Sequence, residues 1–272
     1  MAGEIVIGSR EHRDLFCRTF IESHVAYDPA RIDWPVLDEP TLGRLRGLPF
    51  WGEAVETERQ VARKVQALAP LESDPLIREA IAMNGYEEGR HAVLIQGLTG
   101  HYELPVKAAP SDPLPRDVTW GFIRTGYGEC FDSFFAFGLI RLAGDSGFFP
   151  KALVELFEPI VQEEARHILF FVNWIAYRQA RQPFPQRMLD RTWCAMAMAS
   201  QVWRRVKTAR GAATDDFMMK SPETFEVDLS PAGFLRLCLA ENQRRLSRYD
   251  PRLLRPRFVP TLATLAARLL RG

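Results

Sequence analysis

A five-residue pattern with acidic and histidine side chains occurs twice in the chain. It reads Glu-Glu-Gly-Arg-His at residues 87–91 and Glu-Glu-Ala-Arg-His at residues 163–167. On a helix, residues three positions apart lie on one face about one turn apart. Glu88 and His91 can therefore present a carboxylate oxygen and an imidazole nitrogen to the same point. The second copy has the same spacing, so the sequence contains two candidate pairs of metal ligands.

Two such pairs need partners to complete a metal centre. With one more glutamate from each of two further helices, they make a di-iron or di-manganese carboxylate site. One Glu-x-x-His is a weak signal, because chance produces many. Two copies with matching neighbours, each preceded by a helix with an inward glutamate, are a strong one. Four helices must then carry the ligands.

The first of these helices is predicted over residues 49–69. Its apolar positions have the spacing of a bundle seam, and Glu58 is the charged position within that stripe. We therefore expect Glu58 to be a ligand. Glu53 and Glu56 are the alternatives, but Glu53 lies near the helix start, where an acid suits the helix dipole, and Glu56 shares a face with other polar residues.

The second helix is predicted over residues 74–99, with Asp74 as its cap and a proline in its first turn. Its inward stripe fits a heptad seam, and the polar positions Asn84, Glu88 and His91 cluster in the middle of it. A buried carboxylate without a partner beside a histidine would be costly. A metal ion is the simplest group that removes this cost.

The second half of the predicted bundle repeats this order. Proline-rich residues 100–117 are predicted to cross over between two helix hairpins, and the sequence leaves open whether the flanking helices are parallel or antiparallel. A helix over 118–143 is apolar almost all round and has one glutamate, Glu129, the fourth carboxylate ligand. A helix over 151–179 carries Glu164 and His167. Asp132 is expected to support or cap the site.

Additional elements flank the predicted four-helix di-metal bundle of residues 49–180, and all belong to a single domain, 1–272. Residues 1–48 are predicted to form an amphipathic helix and an irregular strap anchored by Trp34, with His12 and His24 at the surface or at caps. Residues 181–272 are predicted to add helices, of which the last, a basic one, packs on the bundle or on a second subunit. The following side chains of the helix over 185–209 are predicted to face the bundle: Met188, Trp193, Met196, Met198 and Trp203.

The composition excludes several classes of protein. With 35 basic and 34 acidic residues the net charge is +1, so nucleic acid is not an expected partner. The four cysteines form no Cys-x-x-Cys motif, which fits a reducing compartment. There is no apolar signal region and no apolar run of membrane-spanning length. The sequence therefore predicts a cytoplasmic protein without a membrane span.

With these residues the chain resembles the ferritin-like di-iron carboxylate superfamily over about residues 50–180. The form of both motifs is similar to bacterial hydrocarbon monooxygenases and acyl-carrier-protein desaturases. The resemblance implies that Glu87 and Glu163 each accept the imidazole N–H of the ligand histidine in the other motif, with Arg90 and Arg166 pairing nearby. The alternative is that these four residues form a solvated helix face.

The sequence lacks features that mark three related families, and this narrows the choice among the families it resembles. Ile95 stands where the radical-generating subunit of ribonucleotide reductase has a tyrosine. Ile160 stands where the arylamine N-oxygenases have a further histidine. The cysteine-ligated iron module of rubrerythrins has no counterpart here.

The expected function is that of an O2-activating oxidoreductase with two metal ions, Fe/Fe or alternatively Mn/Fe. Glu88 and Glu164 would bridge the metals, and Glu58 and Glu129 would be terminal ligands. An external donor would supply electrons, and the substrate would be a small or elongated apolar molecule. These phenylalanines are the candidates for lining its pocket, although core packing is the alternative: Phe131, Phe134, Phe135, Phe170 and Phe171.

Other functions remain open at this point. A ferroxidase, a metal store or a peroxide scavenger needs the same six ligands but no organic substrate. A metal-free bundle with a vestigial site is a third reading, and the intact ligand set argues against it. The sequence also leaves a homodimer open.

Overall fold

The computed structural model describes residues 5–108, 110–209 and 230–270, and this part of the chain is helical without strands. The predicted all-α class is thus confirmed. The α-helices in these ranges are α1 (Arg10–Glu22), α2 (Glu39–Gly47), α3 (Trp51–Leu68), α4 (Pro75–His101), α5 (Val118–Asp145), α6 (Lys151–Arg181), α7 (Phe184–Ala209), α8 (Pro231–Leu246) and α9 (Phe258–Leu269). Short 3-10 turns lie at Pro29–Arg31 and Ala69–Leu71.

The four long helices α3 to α6 begin and end within two residues of their predicted bounds. Polar caps explain two of the starts. The Asp74 carboxylate accepts the backbone N–H groups of Leu76 and Ile77, and Asp117 accepts that of Trp120. These bonds satisfy N–H groups that have no partner within the helix. The capping role predicted for Asp74 is therefore confirmed.

Helices α3 and α4 run antiparallel. The Gln66 side chain near the end of α3 donates to the Gly85 carbonyl oxygen at 3.1 Å. Glu58, earlier on α3, lies 3.6 Å from His91, later on α4. Residue numbers therefore increase in opposite directions along the two helices.

Helices α5 and α6 are also antiparallel, because the rings of Phe122 and Trp174 lie 5.0 Å apart while the Ser133 hydroxyl donates to Glu164 at 3.3 Å. Across the centre, α4 is antiparallel to α6, since residue 87 meets residue 167 and residue 91 meets residue 163. It follows that α4 and α5 are parallel, the point that the sequence left open. Residues 102–117 form the crossover that this geometry requires.

The N-terminal strap lies across α4, as predicted. The Trp34 ring stacks on His101 with centroids 6.1 Å apart, and the Tyr102 hydroxyl donates to the Pro35 carbonyl at 2.6 Å. The prediction that the rest of the strap is irregular is wrong, because α2 forms within it. Asp38 caps α2, and Pro40 stands in its first turn, where a proline loses no hydrogen bond.

The face by which α7 packs was predicted wrongly. Four of the five side chains expected against the bundle are 44–58% exposed, and Met198 is half-buried; the four are Met188, Trp193, Met196 and Trp203. The buried side of α7 is instead largely polar and includes Asp190, Gln201 and Arg205. Gln201 and Arg205 donate hydrogen bonds to backbone carbonyls of α5, and the apolar contacts of the helix with the bundle include Cys194, Ala197 and the edge-on contact of Trp193 with Trp120.

Two clusters of buried apolar residues form the core. One lies among α1, α3, α4, α5 and α6, and the other joins α2 and the ends of α4 and α5 to α8 and α9. Within the described ranges, no helix combines the length and apolar character that crossing a membrane requires.

Helix α8 packs closely on α5 at Gly138. A Cβ atom added there would lie 2.3 Å from the Cys238 sulfur and 3.2 Å from its Cα. We expect Gly138→Ala to lower the free energy of unfolding by about 1–3 kcal/mol, because backbone as well as side chain must shift. At Gly144 on the same helix the nearest atom would be 3.5 Å away. Gly144→Ala should be neutral or stabilising by up to about 1 kcal/mol. Chemical denaturation of both variants checks this, and equal effects would contradict the close approach.

Candidate metal centre

Four side chains from α3, α4 and α6 converge on one buried point. Glu58, Glu88, His91 and Glu164 each offer a ligand atom, and these atoms lie within 4.8 Å of one another. The His91 Nδ1 atom is 3.2 Å from Glu164 and 3.6 Å from Glu58. These carboxylate and imidazole groups could hold a metal ion.

A second set of ligands adjoins the first. The His167 Nδ1 atom lies 2.8 Å from Glu88 and 3.6 Å from Glu164, and its ring stacks on that of His91 at 5.7 Å. Glu129 is outside the four-residue group, but it lines the same cavity as Glu58, Glu88 and Glu164. The structure therefore brings all six predicted ligands to one region.

Three buried atoms at this point have no hydrogen-bond partner among the described residues: His91 Nδ1, His167 Nδ1 and the Glu88 Oε1 atom. The 2.8 Å contact between His167 Nδ1 and Glu88 does not have hydrogen-bond geometry. If each imidazole carries its proton on Nε2, a nitrogen lone pair faces a carboxylate oxygen. Buried polar groups are rarely left in this state, and a cation between them removes the repulsion.

The opposite nitrogens of both histidines are held by the first glutamate of the other motif. His91 Nε2 is 2.8 Å from Glu163, and His167 Nε2 is 2.9 Å from Glu87. An ionised carboxylate accepts a hydrogen bond from the Nε2–H group and so leaves the Nδ1 lone pair free for a metal. These crosswise contacts are those that the resemblance implies.

Two arginines bind these two glutamates, and we call the four side chains the outer layer of the site: Glu87, Arg90, Glu163 and Arg166. Arg90 donates to the other oxygen of Glu163 at 2.5 Å, and Arg166 donates to the other oxygen of Glu87. All four side chains are at most 5% exposed, so they do not form a solvated helix face. The two positive charges balance the two negative ones in a region from which water is excluded.

Helix α1 and the segment after it close this layer from outside. Arg166 donates to the Phe20 carbonyl at 3.1 Å, and Arg90 donates to the Val25 carbonyl at 3.1 Å. The Tyr27 ring lies under the Arg90 guanidinium, 3.8 Å from ring centroid to Cζ. The N-terminal segment is therefore part of the site's support.

The expectation that His12 and His24 lie at the surface is wrong, but the expected capping role holds for His12, whose Nδ1 atom accepts the backbone N–H of Gly8 at 3.3 Å just before α1. His12 is fully buried and its Nε2 contacts Asn173 at 3.1 Å, away from the centre. The His24 Nδ1 atom contacts Glu87, and His24, Glu87 and Glu163 lie close enough together to be a second candidate ligand group. Because Arg90 and Arg166 already neutralise the two glutamates, we interpret His24 as a support of Glu87. The sequence holds no spacing signal for it, since 63 residues separate the pair.

The remaining acidic candidates lie elsewhere. Glu53 is exposed, and Glu56 accepts a hydrogen bond from Gln60 at 3.2 Å on the outer side of α3. Asp132 is 40% exposed and is held by Arg205, so it contacts no ligand histidine. It lies instead at the wall of the cavity that leads to the carboxylates.

That cavity has a volume of about 470 Å³, and Glu58, Glu88, Glu129 and Glu164 lie at its inner end. The predicted lining by phenylalanines is wrong for this cavity, because none of the five lines it. Phe170 and Phe171 belong to one core cluster, and Phe131, Phe134 and Phe135 belong to the other. Their side chains fill the protein around the centre.

The enclosure of the centre shifts the pKa values of its groups. Burial, and next the neighbouring Glu164 carboxylate, raise the pKa of Glu129 to about 8. Burial also raises the pKa of Glu88. For His91, burial favours a lower pKa, but the neighbouring carboxylates of Glu163, Glu164 and Glu58 outweigh it and raise the pKa.

The pKa of Glu87, in the outer layer, is shifted in the opposite direction. Burial favours a higher pKa for Glu87, but His167, Arg166 and His24 outweigh it and hold the pKa at about 2. Without a metal, Glu129 thus retains a proton near neutral pH, and the raised pKa values of Glu88, His91 and His167 act in the same direction. Burial favours a higher pKa for Glu164, but the two histidines outweigh it and lower the pKa, while Glu87 stays ionised.

The chain matches no known family, no curated protein and no solved structure. The assignment of the site therefore rests on its own geometry.

The pKa shifts predict how the stability of the metal-free protein depends on pH. Folded Glu129 binds a proton that the unfolded chain releases near its ordinary pKa of 4.5. The raised pKa values of His91 and His167 act in the same direction. Stability should fall between about pH 6 and about pH 8, by up to about 1.4 kcal/mol per pH unit for each proton.

Thermal melts with a chelator present would measure this slope. Glu129→Gln carries no titrating proton, so its slope should be shallower than that of the unmodified protein. Glu79→Gln, an exposed change on α4, should leave the slope unaltered. A rise in the stability of the metal-free protein over this pH range would contradict the prediction that Glu129 and the two histidines retain protons.

The crosswise contacts predict the effect of a change outside the ligand set. Glu163→Gln keeps an acceptor for His91 Nε2 but loses the charge that pairs with Arg90. We expect metal affinity to fall about 10- to 100-fold, since such supporting carboxylates tune their ligands by that amount. Competition titration against a chelator measures it. Glu155→Gln, exposed on the same helix, is the matched control, and equal affinities for the two variants would argue against the support.

Proposed function

We propose that this chain is an O2-activating di-iron oxidoreductase built on a ferritin-like four-helix bundle, with an organic molecule as its substrate. The packing of α3 on α4 and α5, and of α6 on α4 and α5, supports the bundle. Helix hairpins joined by a crossover are one of the known bundle topologies.

The observation that carries the proposal is the pair of buried Nδ1 atoms without partners, which face four carboxylates. His91 with Glu58 would hold one metal ion, His167 with Glu129 would hold the other, and Glu88 and Glu164 lie near both histidines. A mixed carboxylate and imidazole set suits iron or manganese. Four carboxylates also neutralise two divalent ions, so the loaded centre would carry no net charge.

The chain's own residues prepare this centre. Glu87 and Glu163 fix the imidazole tautomers, and Arg90 and Arg166 keep those two carboxylates ionised. When bound, two ferrous ions would supply one electron each to O2, and an external donor would return them to the ferrous state. The cavity of about 470 Å³ gives an organic molecule a path to the carboxylates. This path favours an oxygenase or oxidase over a protein that only stores metal.

The first test is the metal content of the purified protein and its response to Fe(II) and air. We expect about two iron ions per chain, since the ligand set supplies two sites, and an absorption that develops on exposure to O2. Glu88→Ala and His167→Ala should each abolish the absorption and lower the iron content. His101→Ala removes an exposed histidine at the end of α4 and should change neither.

Other results would overturn the proposal. Iron uptake that survives Glu88→Ala and His167→Ala would place the metal elsewhere. A protein that takes up no iron or manganese would be a structural bundle. Assembly into a cage, with many iron ions stored per chain, would favour the ferroxidase alternative.

A further inference from the structure

The cavity above the carboxylates is walled by α3, α5, α7 and the loop at residues 112–115. Its volume of about 470 Å³ is within the usual range for small-molecule sites. Charged residues line its outer part, and we call the basic ones the cationic rim: Lys64, Arg124 and Arg204. Apolar side chains complete the walls: Val61, Pro113, Pro115, Trp120 and Ala136.

Lys64 is the most confined member of the cationic rim. It is half-buried and forms neither a hydrogen bond nor an ion pair with any residue in the described ranges. Burial lowers its pKa, with Arg124 and Arg204 adding to the effect and Asp112 and Glu129 opposing it. A partly buried ammonium group without a carboxylate partner is costly. An anion in the cavity would remove that cost.

The acids around the cationic rim do not neutralise it. Asp132 is 3.6 Å from Arg204, but it is also bound by Arg205, a buried arginine outside the rim. Asp112 is the other acid at this level of the cavity. Arg124 makes no ion pair within the described part of the chain, so positive charge is left over at the mouth.

The inner end of the cavity does not repel an anion once metals are bound. Its four glutamates carry four negative charges, and two divalent ions carry four positive ones. The positive charge of the rim is then unopposed and would attract an anion. The same rim would disfavour Fe(II), so it is poorly suited as the access route of an iron store.

The spacing of the charged groups fits an elongated molecule. Lys64 follows Glu58 by six residues on α3, about 9 Å along the helix axis. Arg124 precedes Glu129 by five residues on α5, about 7–8 Å along its axis. Apolar side chains such as Val61 lie between these levels. A molecule with a charged head at the rim could therefore extend an uncharged part to the carboxylates.

We propose that the substrate is an amphipathic organic anion, whose carboxylate or phosphate head group pairs with Lys64 and Arg124 while its uncharged part reaches the metal centre. This deepens the proposed function and rests on it for the role of the molecule as substrate. It also replaces the expected wholly apolar substrate, because the cavity that reaches the centre is charged at its mouth.

The test is calorimetric binding of three probes with the same chain: octanoate, octyl phosphate and octanol. Each is titrated into metal-free protein and into protein loaded anaerobically with Mn(II). We expect one or both anions to bind more tightly than octanol to both forms of the protein, because protons in the one and metal ions in the other offset the charge of the inner carboxylates. The tighter of the two anions identifies the head group.

Variants of the cationic rim locate the binding. Lys64→Gln and Arg124→Gln should each weaken binding of the anion about tenfold or more, as expected for a charge-assisted contact, and leave octanol unchanged. Lys64→Arg keeps the charge and should retain most of the affinity. Lys151→Gln removes a lysine that is 89% exposed on α6 and should have no effect. Melting curves identify any variant that fails to fold.

The outcomes separate the two proposals. Octanol that binds as tightly as the anions, anion binding unaffected by Lys64→Gln and Arg124→Gln, or no binding of either anion would overturn the anionic substrate, even with a normal metal centre. Binding that depends on the rim in a protein that takes up no metal would support the anion site while refuting the di-iron proposal. Binding that depends on the rim, in a protein that also takes up iron at the predicted ligands, supports both.

Discussion

Two buried glutamate–arginine pairs, each formed between α4 and α6, hold the ligand histidines in one orientation. Each glutamate uses one oxygen for the arginine and the other for the imidazole Nε2 of the opposite motif. The tautomer and ring direction follow from these bonds, so the position of both Nδ1 atoms depends on them. Breaking a buried pair of this kind usually costs about 3–5 kcal/mol, because a charge is left without a partner.

The inner ligands depend on this outer layer in a second way. Since Arg90 and Arg166 neutralise Glu87 and Glu163, the excess negative charge is confined to the four inner carboxylates. Protons or metal ions must compensate it, and both compete for the same atoms. Metal binding would therefore be coupled to folding as well as to pH. The N-terminal segment takes part, because its carbonyl groups bind the two arginines.

The sequence predicted the parts of the structure that repeat with a helical period. The stripe on α3 selected Glu58 over Glu53 and Glu56, and the resemblance carried by the two pentapeptides implied the contacts across α4 and α6. The wrong predictions concern contacts that no local spacing encodes. The buried face of α7 packs through Gln201 and Arg205, so a search for apolar stripes chose its exposed side.

The other contacts that the sequence did not predict join residues that lie far apart along the chain. His24 reaches Glu87 only because the N-terminal segment folds back over α4. The cavity mouth combines Lys64 from α3, Arg124 from α5 and Arg204 from α7, so its charge appears only after the helices have packed. A phenylalanine-rich helix was a reasonable candidate for an apolar pocket, but those side chains fill the core. Helix packing thus decides which residues line the cavity.

The crosswise bonding makes the two helix hairpins depend on each other. Helix α4 supplies to α6 the same kind of contacts that it receives from α6, and the two helices are antiparallel. The two hairpins are therefore related by an approximate twofold axis. A shorter chain with a single hairpin would leave its glutamate, arginine and histidine without partners. Two copies of such a chain, paired about the same axis, would satisfy all of them, as the two hairpins of this chain do for each other.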